Sequence, residues 1–388
     1  MADGTRDTVT ITLAAGLLGV DRAAWDALAN PPGERFDPFI TWDFLEALEA
    51  AGCVGAGTGW TPRHVLAHDA QGCLVGAMPL YVKTHSMGEY VFDHAWADAM
   101  RRAGGLYYPK LQCAAPFTPV TGRRILARDP AVADALAMGA VDAVPVTRAS
   151  SLHVTFPTEA EWTRLGALGF LRRTGVQFHW TNAGYSSFAD FLGALSSSKR
   201  KTIRRERERA VEGLTVRCLE GDAITTTHWD FFFRCYMDTG ARKWGQPYLN
   251  RDFFTQLATR MGDRCALFLA ERDGRPVASA LNLIGSDTLY GRYWGCVEDV
   301  QFLHFELCYY QAMDFAIARG LARVEAGAQG EHKLLRGYAP VTTYSAHWIA
   351  HPGLRNAVAH YLETERPAVA HEIEALAEHT PFRKGETP

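Results

Sequence analysis

The stretch CALFLAERDGRPVASALNLI, from Cys265 to Ile284, decides the fold class of this chain. Two apolar runs flank a polar turn that ends at Gly274, and this pattern predicts a β-hairpin. The same plan occurs earlier as HVLAHDAQGCLVGAMPLYV, from His64 to Val82. A hairpin that recurs after about 200 residues indicates two copies of one domain fold, because solenoid repeats have much shorter periods.

The elements predicted around the second hairpin define an α/β plan. In chain order they are a strand, two helices, the hairpin, a strand, a helix and a strand, at residues 214–219, 227–236, 253–261, 265–284, 288–295, 305–319 and 323–326. This order predicts a mixed, mostly antiparallel sheet with helices packed against it. We place one domain at residues 1–195 and a second domain at residues 196–388.

The composition is typical of a globular protein with more than one core. The chain has 388 residues, which is too long for one ordinary hydrophobic core and suits two domains. Its hydrophobic content is 47% and its charged content is 21%. Because the formal net charge is only −3, any contact with a nucleic acid has to be made by a local patch and not by the whole surface.

The cysteines and the apolar runs bear on the cellular compartment. The eight cysteines are scattered, without a CxxC pair or a Cys/His cluster at metal-ligand spacing, so we expect free thiols and no metal site. The N-terminal segment lacks the sustained apolar core of a signal peptide. No window approaches the roughly 20 apolar residues of a membrane span. We therefore expect a cytoplasmic protein without a membrane span.

The strongest local charge lies in SSSKRKTIRRERERAVEG, from Ser196 to Gly213. Between Lys199 and Arg209 this segment carries seven basic residues against two acidic ones. It predicts a helix, because serines are available to cap its start, Gly213 can end it and no proline interrupts it. Two interpretations are open, a solvated helix that connects the two domains or a docking surface for a phosphate-rich partner such as a nucleic acid.

Several long segments of the chain resemble one family. The basic helix followed by Gly213 and a strand is similar to the start of the second domain of FemABX-type aminoacyltransferases, and EAGAQGEHKLLRGYAP, residues 325–340, is similar to their late glycine-rich segment. The chain resembles more closely a bacterial FemAB-like branch, which is described as peptidoglycan biosynthesis/recognition proteins. The segments that carry this resemblance are KTHSMGEYVFDHAWADA (83–99), YYPKLQ (107–112), PFTPVTG (116–122), GVQFHW (175–180), RKWGQPYL (242–249), HFELCYYQ (304–311) and GAQGEHKL (327–334).

The resemblance implies two tandem GNAT-like domains that transfer an acyl group to an amine. FemABX relatives take that group from an aminoacyl-tRNA, whereas ordinary GNAT enzymes take it from acyl-CoA. A CoA enzyme holds the pyrophosphate with backbone N–H groups of a glycine-containing turn at a helix N-terminus. The corresponding loop here, CVEDVQFLHFELC at residues 296–308, contains no glycine and carries Glu298 and Asp299. This loop disfavours an acyl-CoA donor and favours charged tRNA, with the basic helix as its phosphate contact.

The segment GEHKLLRG, residues 330–337, supplies the predicted catalytic residues. Lys333 is assigned to the stabilisation of the oxyanion or of the donor's terminal phosphate, and His332 and Glu331 are assigned to removing the proton from the amine. The alternative is a surface loop whose charges are only solvated. We interpret His304 and Glu306, at the start of the predicted helix 305–319, as capping residues in preference to catalytic ones.

Two further sets of residues are predicted to bind the substrates. Basic side chains suited to the phosphates of a tRNA donor are Lys199, Arg200, Lys201, Arg204, Arg205, Arg207, Arg242 and Lys243. Residues assigned to the acceptor are Asp93, Trp96, Asp98, Tyr108, Lys110, Arg292 and Trp294. Those of the first domain form a polar and aromatic cluster in a predicted loop, where an aspartate is expected to pair with Lys110 or a nearby arginine. A purely structural network is the alternative for this cluster.

The sequence therefore predicts an aminoacyl or acyl transferase that forms an amide bond on a small amine or peptide acceptor. Charged tRNA is the expected co-substrate, and no cofactor or metal is expected. Two alternatives stay open, an acyl-CoA-dependent N-acyltransferase and a non-catalytic binding protein with a duplicated fold. The oligomeric state is not predicted.

Overall fold

A computed structural model describes residues 9–243, 247–328 and 330–383 of the chain, with only the backbone described at residues 241–243 and 331. The strands in this part are β1 (Thr10–Ala14), β2 (Trp60–Pro62), β3 (His64–His68), β4 (Leu74–Met78), β5 (Leu80–Lys83), β6 (Lys110–Cys113), β7 (Leu126–Ala127), β8 (Ser151–Thr155), β9 (Leu171–Thr181), β10 (Thr215–Glu220), β11 (Cys265–Arg272), β12 (Arg275–Ile284), β13 (Thr288–Cys296), β14 (Arg323–Glu325) and β15 (Ala339–Ile349).

The α-helices alternate with these strands along the chain. They are α1 (Arg22–Ala29), α2 (Trp42–Ala50), α3 (His94–Arg102), α4 (Pro130–Val146), α5 (Glu159–Ala167), α6 (Phe188–Ala194), α7 (Ser197–Ala210), α8 (Thr226–Lys243), α9 (Arg251–Met261), α10 (Leu303–Phe305), α11 (Gln311–Ala318) and α12 (Pro352–Ala377). A π-helical segment, Glu306–Tyr310, joins α10 to α11, and a 3-10 helix covers Glu331–Arg336. None of the helices in the described ranges is both long and apolar enough to cross a membrane.

The chain divides into two compact units whose bounds differ from the predicted ones. Unit 1 comprises Met1–Gly175 and Thr343–Val369, and unit 2 comprises Val176–Thr342 and Ala370–Pro388. The first two divisions fall inside the strands β9 and β15, and the third falls inside α12. The sequence placed a single division after residue 195 because the charge pattern changes there. The basic helix α7 accordingly lies inside unit 2 and does not begin it.

Unit 1 contains the first of the two predicted hairpins. Strands β3 and β4 pair antiparallel in a four-stranded sheet with the order β1-β3-β4-β7. A second group of strands has the order β15-β8-β6-β5-β2, in which only the β6–β8 pair is parallel. One face of this second group is apolar and packs into the core through Leu80, Leu111 and Leu152. The registers place Lys83, Lys110, His153 and His347 together on the opposite face.

Unit 2 contains the second hairpin and confirms the predicted mixed sheet. Its strands follow the order β10-β11-β12-β13-β14-β9, and every pair is antiparallel except β13–β14. The core of this unit is formed by the apolar faces of the hairpin strands and of the segment from Leu303 to Ala316. Helix α8 packs on β12 and β13. Gly295 of β13 allows this contact, because a Cβ at that position would lie 2.1 Å from the carbonyl oxygen of Cys235.

Gly295→Ala should therefore destabilise unit 2. The added methyl group would collide with helix backbone, which cannot move aside as a flexible side chain can, and overpacking of this kind costs about 1–3 kcal/mol. The free energy of unfolding, measured by urea denaturation, should fall by at least that amount. Gly262→Ala is the matched control, because Gly262 has helical φ and ψ angles and open space around its Cα. Equal stability of the two variants would contradict the close approach of α8 to β13.

Candidate active site

A β-bulge in β13 shapes the candidate site. Tyr293 pairs with Leu281, but the next pair along the ladder joins Gly291 to Asn282, so Arg292 is an extra residue on β13. Bulges of this kind bend a strand and redirect its side chains. Beyond residue 290, β13 no longer pairs with β14, whose partners on β13 are residues 288–290. Regular alternation of side chains between the two faces of the sheet is therefore interrupted between Gly291 and Tyr293.

Two neighbouring cavities adjoin the bulge. The smaller one, which we call the bulge pocket, has a volume of about 100 Å³ and is lined by residues 280–282 and 291–294, His304, Cys308, Tyr309 and Ala326. The larger one, which we call the outer cleft, has a volume of about 380 Å³ and is lined by Thr239, Trp294, Cys296 and residues 298–305. Trp294 and His304 belong to both, and their rings are 5.3 Å apart between centroids. These two rings form a shared wall between the cavities.

Lys333 is buried beside the bulge pocket. Its 3-10 helix follows Gly330 and ends at Gly337, both of which have positive φ. The side chain of Lys333 is 1% exposed, and its Nζ donates a hydrogen bond of 2.7 Å to the carbonyl oxygen of Gly327. Burial lowers the pKa of Lys333 to about 8; the charge of Cys308 opposes this shift and that of Arg292 adds to it. Lys333 is therefore not a solvated surface lysine, whereas His332 and Leu335 of the same segment are exposed.

His332 is exposed next to Lys333 and contacts the rings around the site. One of its ring nitrogens, Nε2, lies 2.7 Å from the hydroxyl oxygen of Tyr309. Its ring centroid is 5.7 Å from that of Phe305 and 6.2 Å from that of His304. His332 and Lys333, predicted as catalytic, thus adjoin a pocket that is lined by Arg292 and Trp294, which the sequence had assigned to the acceptor. The side chain of Glu331 lies outside the described residues.

The basic helix α7 is held in unit 2 by two buried acidic residues. Glu306 is 1% exposed and accepts two hydrogen bonds from Arg207, at 2.8 and 3.0 Å. Arg207 also donates to Asp314 at 2.7 Å. On the same face of α7, Glu206 accepts from Tyr310 and accepts two hydrogen bonds from Arg336. Glu306 lies in the π-helical segment and is paired with Arg207, so the predicted capping role for it is wrong.

The outer face of α7 presents the remaining positive charge. Arg200, Lys201, Arg204 and Arg205 line one open concave surface, together with Ser197 and Glu208. Lys199 is half-buried and is not part of that surface. Because the guanidinium of Arg207 is bonded to two carboxylates, we restrict the predicted donor surface to the four residues first named. The side chains of Arg242 and Lys243 lie outside the described residues.

Comparison with known proteins now identifies the family. A family model described as FemAB-like, peptidoglycan biosynthesis/recognition, matches residues 16–384. The chain belongs to the FemAB-like family. A sequence search among curated proteins finds no match. Solved structures share the fold of this FemAB-like protein at low sequence identity, and its fold is that of tandem GNAT-like domains, as the sequence predicted.

Three of those structures are similar over most of their length. FemX has a TM-score of 0.55 at 14% identity, with 88% of this chain and 98% of FemX covered. The C-terminal domain of a putative lysylphosphatidylglycerol synthetase from Agrobacterium fabrum has a TM-score of 0.52 at 9% identity, with 88% and 95% covered. A conserved protein of unknown function from Bacteroides thetaiotaomicron has a TM-score of 0.52 at 12% identity, with 87% and 100% covered.

In unit 1 of the FemAB-like protein, three of the five predicted acceptor residues lie on regular elements, whereas Asp93 precedes α3 and Tyr108 lies in the loop before β6. Trp96 and Asp98 are on α3, and Lys110 is on β6. Lys110 Nζ donates hydrogen bonds to Asp93 and, at 2.7 Å, to Glu89. Such a pair was expected from the sequence, because a buried carboxylate needs a charged partner. Asp98 lies apart from this cluster and pairs with Arg101. Asp93 and Lys110 thus share one network, whereas Asp98 does not join it.

The unit 1 network is closed and largely satisfied by its own members. Lys83, Glu89, Asp93 and Lys110 are each less than 5% exposed. Although burial alone would raise the pKa of Asp93, the Lys110 ammonium holds it well below its usual range. Tyr108 joins through the hydroxyl of Ser86, which lies 2.7 Å away and accepts a hydrogen bond from Lys110. These contacts favour the structural alternative for Asp93 and Lys110.

A pair of buried histidines extends this network. His153 and His347 approach through their Nδ1 atoms at 2.7 Å, and Trp96 packs against the His347 ring at 4.8 Å between centroids. Burial lowers the pKa of both histidines, to about 3 for His153, and the charges of Lys110 and Arg173 add to the effect. Both rings are therefore neutral at pH 7. One donates the shared hydrogen bond and the other accepts it.

The Arg207–Glu306 pair leads to a stability prediction. Arg207→Met should lower the free energy of unfolding by about 3 kcal/mol, because Glu306 would stay buried without its charged partner. Arg204→Met is the matched control on the same helix; Arg204 is exposed, so a change within about 0.5 kcal/mol is expected. The double variant Arg207→Met/Glu306→Met should regain most of the lost stability. Urea denaturation measures all three, and a single variant as stable as the control would contradict the pairing.

The buried Lys333 leads to a second prediction, about pH dependence. Its pKa is about 8 in the folded protein and 10.5 when unperturbed, so between these values the unfolded chain holds a proton that the folded chain lacks. Stability of the wild type should therefore rise with pH through this window, relative to Lys333→Met, by up to about 1.4 kcal/mol per pH unit. Below pH 8 the difference should be constant.

Urea denaturation at half-unit steps from pH 7 to 10.5 tests this dependence. Lys201→Met is the control, because Lys201 is exposed on α7 and should show no such slope relative to the wild type. Parallel stability curves for the wild type and Lys333→Met would show that Lys333 is not buried as described.

Proposed function

We propose that this FemAB-like protein transfers an aminoacyl group from a charged tRNA to a primary amine and so forms an amide bond. The observation that carries the proposal is that Lys333 and His332 adjoin the lining of the bulge pocket: the charges of Arg292 and Cys308 act on Lys333, and His332 lies 2.7 Å from the hydroxyl of Tyr309. The family of the protein is of the acyltransferase type. The description of the family makes peptidoglycan precursors candidate acceptors. A charged tRNA donor implies that the reaction takes place in the cytoplasm.

The reaction needs three contributions from the protein. The amine must be deprotonated, its nitrogen must be held close to the ester carbonyl of the donor, and the negative charge of the tetrahedral intermediate must be stabilised. A new C–N bond forms, the ester C–O bond breaks, and the proton lost by the amine ends on the ribose hydroxyl of the released tRNA. No metal and no covalent enzyme intermediate is required for this sequence of steps.

The residues around the bulge pocket match two of these contributions. Lys333 in its protonated form, together with Arg292, provides positive charge next to the carbonyl oxygen, and burial strengthens that interaction because water is excluded. His332 is exposed, and its Nε2 lies 2.7 Å from the hydroxyl of Tyr309. We assign to it the removal of the proton from the amine. Above pH 8 the charge of Lys333 declines, and its contribution to oxyanion stabilisation declines with it.

The outer face of α7 supports the tRNA donor. Four basic side chains line one open surface, and phosphate contacts by lysine and arginine supply most of the sequence-independent affinity for a nucleic acid. The sequence at the expected pyrophosphate site disfavours the alternative acyl-CoA donor. The segment between β13 and α10 contains no glycine and carries two acidic residues where a CoA enzyme would bind pyrophosphate.

Reversing charge on this surface should weaken tRNA binding in a salt-dependent way. Arg200→Glu/Arg204→Glu should lower the affinity for bulk aminoacylated tRNA by at least about tenfold at low salt, because the side chains would then repel the phosphates. The slope of log K against log salt should decrease by about 0.7–0.9 for each phosphate that the variant no longer neutralises. Filter binding or fluorescence anisotropy measures the affinity and its salt slope. The salt concentration is varied from about 50 to 300 mM, a range that includes the physiological value.

Arg209→Glu is the matched control for this experiment. It makes the same charge change as Arg204→Glu alone, on an exposed residue of the same helix that does not line the concave surface, so these two single variants are compared with each other. An equal effect of Arg209→Glu would show that only net charge matters. If the wild type binds acetyl-CoA in calorimetry and does not bind charged tRNA, the acyl-CoA alternative replaces this proposal. Binding of tRNA without release of uncharged tRNA in the presence of primary amines would indicate a binding protein.

A further inference from the structure

We propose that the outer cleft of unit 2 is the subsite that binds the acceptor in its cationic, ammonium form, with Asp299 as the charged contact. The identification of this cation as the acceptor rests on the proposed function. The observations that indicate a cation site are separate from it. The amine is thus assigned to the segment between β13 and α10 of unit 2, and not to the closed network of unit 1.

The charge of the cleft favours a cation. Among its described side chains the lining contains the acids Glu298 and Asp299, and it contains neither lysine nor arginine. Glu298 is already paired with Arg272 through hydrogen bonds of 2.8 and 3.0 Å. Asp299 is exposed and forms no ion pair within the described part of the chain. One negative charge is therefore available to a ligand, and a phosphate would be repelled.

The walls of the cleft are aromatic, which suits an ammonium group. Trp294, Phe302 and Phe305 all line it, and an ammonium over an aromatic face is attracted by the negative charge density of the ring. Phe302 and Phe305 are nearly parallel, at 29°, with centroids 6.3 Å apart. A neutral or anionic ligand of the same size would lose this attraction. The cleft thus discriminates by charge and not only by shape.

The backbone at Phe302 is held in a costly conformation that builds this wall. Its φ angle is 66°, in the left-handed region that large side chains rarely occupy. Conformations of this kind persist where the surrounding structure enforces them, and they cluster at ligand sites. Here the left-handed turn immediately precedes α10 and carries the ring that faces Phe305.

The position of the cleft fits the acceptor's task. It shares Trp294 and His304 with the bulge pocket, where Arg292 and Lys333 supply positive charge for the donor end. An ammonium bound at Asp299 would therefore lie on the acidic side of the shared wall. The ester carbonyl would lie on the basic side. The amine, once it has lost its proton, needs to pass only that wall to reach the carbonyl carbon.

Binding of small charged probes to the full chain tests the inference without any donor. Benzylammonium should bind, whereas benzyl alcohol and benzoate should bind at least fivefold more weakly, measured by saturation-transfer NMR titration at pH 7. Asp299→Asn should weaken benzylammonium binding about threefold to fivefold, as expected for an exposed ion pair. Asp263→Asn is the matched control, because Asp263 is an exposed acid of the same unit that does not line the cleft.

A second variant locates the site and guards against misfolding. Phe302→Gly removes a ring of the wall and relieves the left-handed strain, so it should fold at least as well as the wild type while binding benzylammonium severalfold more weakly. Equal binding by the wild type, Asp299→Asn and Phe302→Gly, or tighter binding of benzoate, would overturn the inference. These results are independent of tRNA binding: absence of tRNA affinity in the wild type would refute the donor while leaving the cation subsite in place.

Discussion

The buried carboxylate of Glu306 is the constraint on which the arrangement of unit 2 depends. A charge that is 1% exposed is tolerable only with a paired partner, and Arg207 supplies it from α7. This pair fixes α7 against the π-helical segment whose first residue is Glu306. Because one arginine of the helix turns inward, the neighbouring basic residues are presented on the opposite, open face. A structural ion pair and a surface for phosphate therefore arise from the same short helix.

The same helix shows where sequence reasoning succeeds and where it stops. Its limits, its charge and its end before Gly213 follow from local chemistry, and the structure places the helix at Ser197–Ala210. The sequence had assigned Arg200, Arg204 and Arg207 alike to the phosphates of the donor. Only the carboxylate that lies 99 residues further along the chain separates Arg207 from the others. Pairing over such a distance leaves no periodic trace in one sequence.

The sheets show the same division between local and long-range information. Both hairpins and the mixed sheet of unit 2 were predictable, since turn residues and apolar runs are local signals. The bulge at Arg292 was not, because an extra residue is visible only against the partner strand. Strand β15 and helix α12 were not predicted, although YSAHW at residues 344–348 alternates between apolar or aromatic and polar residues. The pairing of Asp93 with Lys110 was predicted from the cost of burying a charge alone.

Charge is segregated around β13 in a way that the proposed chemistry requires. The donor carries phosphates and develops an oxyanion, whereas the acceptor arrives as an ammonium, so one site of uniform sign would repel one of the two partners. The bulge places Arg292 at the pocket beside Lys333, and the segment that follows the strand carries Glu298 and Asp299 into the adjoining cleft. Two aromatic rings, Trp294 and His304, separate the two environments. Because β13 is bent at Arg292, residues at the bulge line one cavity and residues after the strand line the other. One strand can thus hold reactants of opposite charge within one site.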